Sequence, residues 1–169
     1  WTNVVSPQFA TITEALGLGF AEDGLTGWTG VGINGQGSEV WKTTDGGQNW
    51  TSVWPDPDTK NPANLFLNAA SQSRTSVVVT GVADHLYSTD GSKFQASIND
   101  FLSPAQDIEV LPNNAGFGLI SYSNKFNGVA TSKAGMQWTN VDMGLGANNT
   151  YYPARYGAFP TASTWYVSA

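Results

Sequence analysis

Short runs of apolar and β-branched residues recur along the chain, separated by clusters of Gly, Asn, Asp, Ser and Pro. Runs of this length with turn residues between them are the pattern of β-strands rather than of helices. The pattern predicts strands near 15–21, 26–33, 38–44 and 49–53, then near 64–70, 75–82, 84–88 and 93–97. A third set falls near 106–111, 116–122, 127–131 and 137–141, and two more strands near 156–160 and 164–169. The Pro-bearing stretches at Trp54–Asp58 and Leu111–Pro112 interrupt a ladder and read as loops. Residues 98–102 allow at most a helical turn.

The sets repeat. Thr43-Thr44-Asp45-Gly46-Gly47-Gln48-Asn49-Trp50 returns as Ser88-Thr89-Asp90-Gly91-Ser92-Lys93-Phe94 and as Thr131-Ser132-Lys133-Ala134-Gly135-Met136-Gln137-Trp138. The closing aromatics Trp50, Phe94 and Trp138 are 44 and 44 residues apart. Taking Thr43, Ser88 and Thr131 as the leading hydroxyls puts Trp41, Leu86 and Val129 in register, each two residues earlier. The stretch 75–81 aligns with 163–169, 88 residues away, and Trp1-Thr2-Asn3-Val4 repeats Trp138-Thr139-Asn140-Val141. A period of this size with four strands per unit predicts an all-β chain of antiparallel four-stranded β-propeller blades. The expectation is about three and a half repeats of ~44 residues forming part of a larger propeller. Residues 1–5 would be the last strand of a preceding blade, 6–54, 55–98 and 99–142 three blades, and 143–169 the start of another.

Composition narrows the chemistry. With 169 residues, one domain is the simplest count. The net charge is −6 and the seven Lys and Arg are scattered singly, so a phosphate-neutralising footprint for nucleic acid is absent. No apolar run is long enough for a spanning helix, so membrane insertion is not expected. There is no initiator Met and no leader-like segment, which reads as a processed piece with its targeting sequence removed. The chain has no Cys, and His85 is its one histidine, so thiolate and zinc sites are not expected. His85, just ahead of an apolar strand, reads as a surface or edge residue. The glycine-rich stretch 30–37 has no helix behind it and reads as a hairpin turn rather than a phosphate loop.

The pattern [Ser/Thr]-x-Asp-x-Gly-x-x-[Trp/Phe] between two strands resembles the Asp-box, or BNR repeat. This motif is found in propellers of sialidases, sortilin-type receptors, some glycoside hydrolases and photosystem-assembly proteins. The resemblance rests on Thr43, Asp45, Gly47 and Trp50, on Ser88, Asp90 and Phe94, and on Thr131, Gly135 and Trp138. The second box is one residue short and has Ser92 where Gly is usual; the third has Lys133 where the Asp stands. The box residues suit a tight turn: a short carboxylate accepts backbone N–H groups, Gly takes angles forbidden to other residues, and the aromatic fills the gap between sheets. In this family the box is structural and remote from catalysis.

A sialidase reading would need a three-arginine clamp, a Tyr–Glu pair and an acid/base carboxylate, but the chain has only Arg74 and Arg155. Tyr122, Glu39 and Glu109, and the loop acids Asp56, Asp58, Asp84, Asp100 and Asp107, show no spacing that selects a pair. The reading therefore leans away from an enzyme; if it is one, it is a glycoside hydrolase. Most tryptophans fall in strands or boxes, which leaves Trp54, Tyr151 and Tyr152 as candidate ligand contacts on loops. The sequons at Asn49 and Asn148 make these candidate glycosylation sites. No cofactor or metal is expected.

The leading functional reading is a non-catalytic binding or scaffold module, secreted, extracellular or in an organelle lumen, with a protein or glycan ligand. The alternatives are part of a sialidase-like or other glycoside hydrolase, and a photosystem-assembly-type propeller. In each case the open sheet edges would need covering by the rest of a larger propeller, a second chain or self-association.

Overall fold

Apolar residues on both faces of Val77-Val78-Val79 show how the chain is organised: all three are fully buried, which requires a layer on each side of their strand. The computed structural model describes residues 10, 12–33, 37–55, 66–82, 85–98, 105–122, 127–141 and 156–168; of these, residues 33, 66, 67, 106, 121, 122, 127 and 128 are described by backbone alone. Residues 1–5, 99–102 and 143–155, to which the sequence assigned strand, helical-turn and loop roles, lie outside the described residues.

Fourteen strands form the described structure. The first sheet is β1 (Ile12–Phe20), β2 (Gly27–Ile33), β3 (Gly37–Thr43) and β4 (Thr51–Trp54), in that spatial order. The second is β5 (Phe66–Ser71), β6 (Val77–Gly81), β7 (His85–Ser88) and β8 (Gln95–Ala96). The third is β9 (Ala105–Val110), β10 (Phe117–Tyr122), β11 (Asn127–Ser132) and β12 (Thr139–Val141), again in chain order. A fourth sheet holds β13 (Tyr156–Thr161) and β14 (Thr164–Ser168). All pairings within these sheets are antiparallel. A 3₁₀ turn at Pro112–Asn114 follows the third sheet's first strand, where Pro112 ends the β9 ladder. No described helix is long and apolar enough to cross a membrane. This is the all-β, four-stranded propeller architecture expected from the repeat.

The first strands of successive sheets, β1, β5, β9 and β13, lie side by side, and the sheets stack face to face outward from them. Each internal interface has its own core. Trp28 and Val40 of the first sheet meet Ala69, Val77, Val79 and Leu86 of the second. Ala70 and Val78 of the second meet Ile108, Phe117, Leu119 and Ala130 of the third. Ile120 and Val129 of the third meet Phe159, Trp165 and Val167 of the fourth. Consecutive side chains of a strand point to opposite faces, so Val78 serves one interface while Val77 and Val79 serve the other.

Three sequence expectations change. The fourth strands begin one residue after the box aromatics, at Thr51, Gln95 and Thr139, rather than before them. The indole explains this at Trp50, whose Nε1–H folds back to donate to the Gly47 carbonyl at 2.9 Å and so belongs to the turn.

The third repeat is also displaced by one residue ahead of its turn. Trp41 and Leu86 face the preceding sheet side, and the third-sheet residue that does so is Ala130, whereas Val129 faces the fourth sheet. A slip of one residue inverts the faces of a strand, so burial distinguishes the two registers sharply.

His85 is not at the surface. It is 1% exposed, its Nδ1 accepts from the Gly81 N–H at 3.4 Å, and burial lowers its pKa from 6.5 to about 4.

Because His85 is neutral in the fold but protonates near pH 6.5 when unfolded, acid favours unfolding. Its contribution to stability is full above pH 6.5 and is lost as pH falls towards 4. Thermal melts from pH 7 to 4.5 should show a declining Tm whose slope flattens in His85→Gln. An equal slope in the variant would show that His85 carries none of the acid lability.

Candidate functional site

The three turns that link the third and fourth strands share a hydroxyl that accepts from a glycine N–H. In the first, the Thr43 hydroxyl donates to Asp45 Oδ1 at 2.8 Å and accepts from the Gly47 N–H at 2.9 Å. Asp45 then accepts from the Asn49 backbone N–H at 2.9 Å and from Asn49 Nδ2 at 2.7 Å. These donors outweigh desolvation and lower the Asp45 carboxyl to a pKa of about 2, the Asn49 backbone bond contributing most. In the second turn the Ser88 hydroxyl accepts from the Gly91 N–H at 2.9 Å, and Asp90 Oδ1 accepts from the N–H groups of Lys93 (2.7 Å) and Ser92 (2.8 Å). These two backbone bonds, Lys93 first, are the main reason the Asp90 carboxyl is also depressed.

In the third turn the hydroxyl that accepts the glycine N–H is Ser132, 2.9 Å from Gly135 N, and not Thr131. The matched hydroxyls are therefore Thr43, Ser88 and Ser132. The residue at the Asp position is Ala134, which offers no acceptor, rather than Lys133, which is exposed. In the second turn Gly91, with φ of 72°, takes the role assigned to a glycine at Ser92. Measured from hydroxyl to aromatic, the second and third turns are equal in length and the first is one residue longer. That insertion misled the register.

The glycines of the second and third turns, Gly91 and Gly135, also press on the preceding sheet. A Cβ at Gly91 would run into the Arg74 carbonyl and lie 3.1 Å from Trp28 Cζ2; one at Gly135 would collide with Val78 Cγ2 and come within 3.0 Å of Tyr87 Cβ. Trp28 Nε1 donates to the Gly91 carbonyl at 3.0 Å. The Lys42 ammonium lies 5.5 Å over the Trp28 ring and donates to Ser92 Oγ at 3.1 Å. The turns thus carry hydrogen bonds and van der Waals contact from sheet to sheet. Phe94 and Trp138 add apolar area at the same interfaces. Trp50 packs with Val31 and Trp41 on the face of the first sheet turned away from the second, where Phe20 meets it edge-on at 6.5 Å.

The candidate contact and modification residues fare differently. Trp54 is half-buried and packs against the core between the first two sheets. Asn49 is exposed, but the amide nitrogen that would carry a glycan is bonded to Asp45. Tyr151, Tyr152, Asn148 and Arg155 lie outside the described residues.

Of the hydrolase candidates, Asp56, Asp58, Asp84 and Asp100 lie outside the described residues and Tyr122 is described by backbone alone; Glu39 lies in the first sheet, and Glu109 and Asp107 in the third. Glu39 accepts from Trp41 Nε1 at 2.6 Å in the first sheet. Glu109 and Asp107 sit on β9, where Asp107 accepts from the Gly157 N–H at 3.1 Å and so fastens the fourth sheet. Desolvation, then the Asp107 charge, raises the Glu109 pKa. Arg74 is exposed and 3.9 Å from Asp23 Oδ2. Among the described residues no cluster of three or more His, Cys, Asp or Glu could hold a metal.

A cavity of about 750 Å³ opens between the third and fourth sheets, beside the third turn. Leu111, Thr131, Lys133, Thr139, Ala162 and Trp165 are among its lining residues, and no carboxylate is. Sequence reasoning missed it because it depends on how two sheets diverge.

Two experiments check the turns. Ser132→Ala should cost about 1–3 kcal/mol in denaturant unfolding, since it strands a buried N–H, while Thr131→Ala should cost under half of that. Equal losses would restore the Thr131 register. Asp45 and Asp90 have folded pKa values below 3.8, so their stabilisation is present above that pH and lost as pH falls below it, towards about 2 for Asp45. Acid titration of Asp45→Asn should therefore show a lower Tm at pH 6 and a smaller further decline between pH 4 and 2 than the parent chain.

No family model matches the chain. Photosystem II assembly lipoprotein Ycf48 of Synechococcus sp. (strain CC9902) is 31% identical over 114 residues, 67% of this chain and 32% of that protein. The chain thus spans about a third of the length of this curated relative. Among solved structures, YCF48 from Cyanidioschyzon merolae superimposes with a TM-score of 0.60 at 21% identity, over 82% of this chain and 42% of that one. YCF48 bound to D1 peptide gives 0.58 at 20%, over 77% and 41%. The Niastella koreensis GH74 enzyme gives 0.62 at 13%, over 88% and 24%. Serial four-stranded antiparallel sheets, homology to Ycf48 and likeness in fold to these propellers together place the chain among the β-propellers.

Proposed function

We propose that this chain is part of a non-catalytic, protein-binding propeller of the photosystem II assembly kind, working on the lumenal or extracytoplasmic side. The observation that carries the reading is the 31% identity to the Ycf48 lipoprotein. The solved YCF48 complex, which holds a D1 peptide, supplies the ligand class. The photosystem-assembly alternative therefore replaces the secreted, glycan-binding module as the leading reading, and a glycosylated chain is no longer part of it. The likeness to the GH74 enzyme is one of fold at 13% identity and carries no activity across.

Within this reading, the three turns are Asp-boxes that serve structure, with Ser132 replacing Thr131 in the third. The blade divisions 6–54, 55–98, 99–142 and 143–169 belong to this reading, which the serial order of the four described sheets supports. The apolar faces at either end of the array are covered by the rest of a larger propeller. Leu16 (56% exposed) and Leu18 (58%) on β1 and Tyr166 (67%) on β14 support this, because residues on the matching faces inside the array are buried. Trp54, Tyr151 and Tyr152 remain candidate ligand contacts.

The test is fluorescence anisotropy with labelled peptides tiling the D1 protein, each beside a scrambled control. One contiguous D1 segment should bind saturably. Binding no better than the scrambled controls across the whole tile would overturn the ligand class, and turnover of a glycoside substrate would overturn the non-catalytic assignment.

A further inference from the structure

In each of the three turns the glycine carbonyl accepts a side-chain donor, and the donor's origin differs from turn to turn. At turn one, Gly47 accepts from the indole of its own Trp50, three residues on. At turn two, Gly91 accepts from Trp28 of the preceding sheet, and the closing aromatic there is Phe94, which has no polar hydrogen to offer. At turn three, Gly135 accepts from the Ser97 hydroxyl, which again belongs to the preceding sheet's side. Turn three also has an indole of its own: Trp138 follows Gly135 by three residues, as Trp50 follows Gly47. The Trp138 indole N–H is buried and has no hydrogen-bond partner among the described residues.

Two donors thus compete for one carbonyl. Ser97 follows β8 directly and donates its N–H to the His85 carbonyl at 2.7 Å; Ile98 then donates to the Met136 carbonyl at 2.8 Å and pairs parallel with Gln137. Residues 97 and 98 form a strap that leaves the second sheet and bonds to two successive carbonyls of turn three. The strap holds Gly135 against the second sheet, where a Cβ would meet Val78 and Tyr87. A Cβ at Gly47 would instead find the Trp50 ring, with Nε1 3.7 Å away. Val78 and Tyr87 therefore fill the place that the indole takes in turn one. The bonds of the strap lie near solvent, with Ser97 half-buried and Ile98 70% exposed, so water replaces them when they break. Trp138, at 7% exposure, has no such recourse, and native folds rarely keep a buried donor unsatisfied.

We propose that residues 97–98 are a releasable strap between the second and third sheets, and that the Gly135 carbonyl is its switch point. With the strap closed, Ser97 holds the carbonyl and the Trp138 N–H is stranded. With the strap open, Gly135 draws back from Val78 and the Trp138 indole donates to it, as Trp50 does to Gly47. The stranded donor thereby lowers the cost of opening, and the outer rim of this interface opens locally while the core strands stay paired. The inference rests on the fold and is independent of the peptide-binding reading above.

Amide hydrogen exchange followed by NMR on the ¹⁵N-labelled chain tests the strap. The Ile98 amide reports its opening, and the amide of Leu119, fully buried on the central strand β10, reports opening of the whole fold. Trp138→Phe removes the donor that opening satisfies. Ile98 exchange, taken relative to Leu119, should therefore slow by about fivefold or more, the factor one net hydrogen bond contributes. A strap that is merely packed would be loosened by the smaller ring, so an equal or faster relative rate overturns the proposal. Ser97→Ala shifts the competition from the other side and leaves the core untouched. In that variant the Trp138 indole proton, assigned by its through-space contacts, should acquire the small temperature coefficient of the hydrogen-bonded Trp50 indole. A coefficient unchanged from the parent chain overturns the switch, and this arm decides the matter even where Trp138→Phe does not fold.

Discussion

A sheet with two apolar faces cannot stand alone in water, and this constraint governs the whole molecule. Val77, Val78 and Val79 have no solvent-facing side, so the second sheet exists only between neighbours. At roughly 25 cal/mol per Å² of buried apolar area, the interfaces and not the strand ladders are the main source of stability. Adjacent sheets must then be held at a fixed spacing, and the turns perform that task. Each hydroxyl orients a glycine N–H within its own turn, while Gly91 and Gly135 bring the turn backbone into contact with the sheet before it.

This arrangement separates structure from recognition. The most polar and most conspicuous sequence feature, the Asp-centred turn, is occupied with its own backbone donors and with the neighbouring sheet. Backbone N–H groups keep Asp45 and Asp90 ionised to lower pH than an ordinary carboxylate, and none of their carboxylate contacts resembles a poised acid or base. Asp107 likewise spends its carboxylate on tying β13 to β9. Among the described residues, the depressed carboxylates of Asp45 and Asp90 are fastenings of their own turns.

Much of the fold was legible in the residues. The strand spans follow from short apolar runs, and the blade period follows from the 44-residue spacing of Trp50, Phe94 and Trp138. Those aromatics are read reliably because a large ring between sheets has few substitutes. The exchange of Ser132 for Thr131 was not legible, since the two hydroxyls are adjacent and a turn one residue shorter fits the string equally well. His85 was misread because its place just ahead of an apolar strand suggests an edge, whereas it is the buried first residue of β7.

By itself, the sequence determined that the chain is all-β, that its sheets repeat, and which turns join the third strand to the fourth. Alternation and period are properties of a single strand and its turn, and they survive in one dimension. Only the tertiary structure decided which side each strand presents, which hydroxyl faces the turn, how Trp28 reaches a carbonyl 63 residues away, and that a cavity opens beside Trp165. Those features depend on the approach of one sheet to the next, and no local pattern encodes that distance.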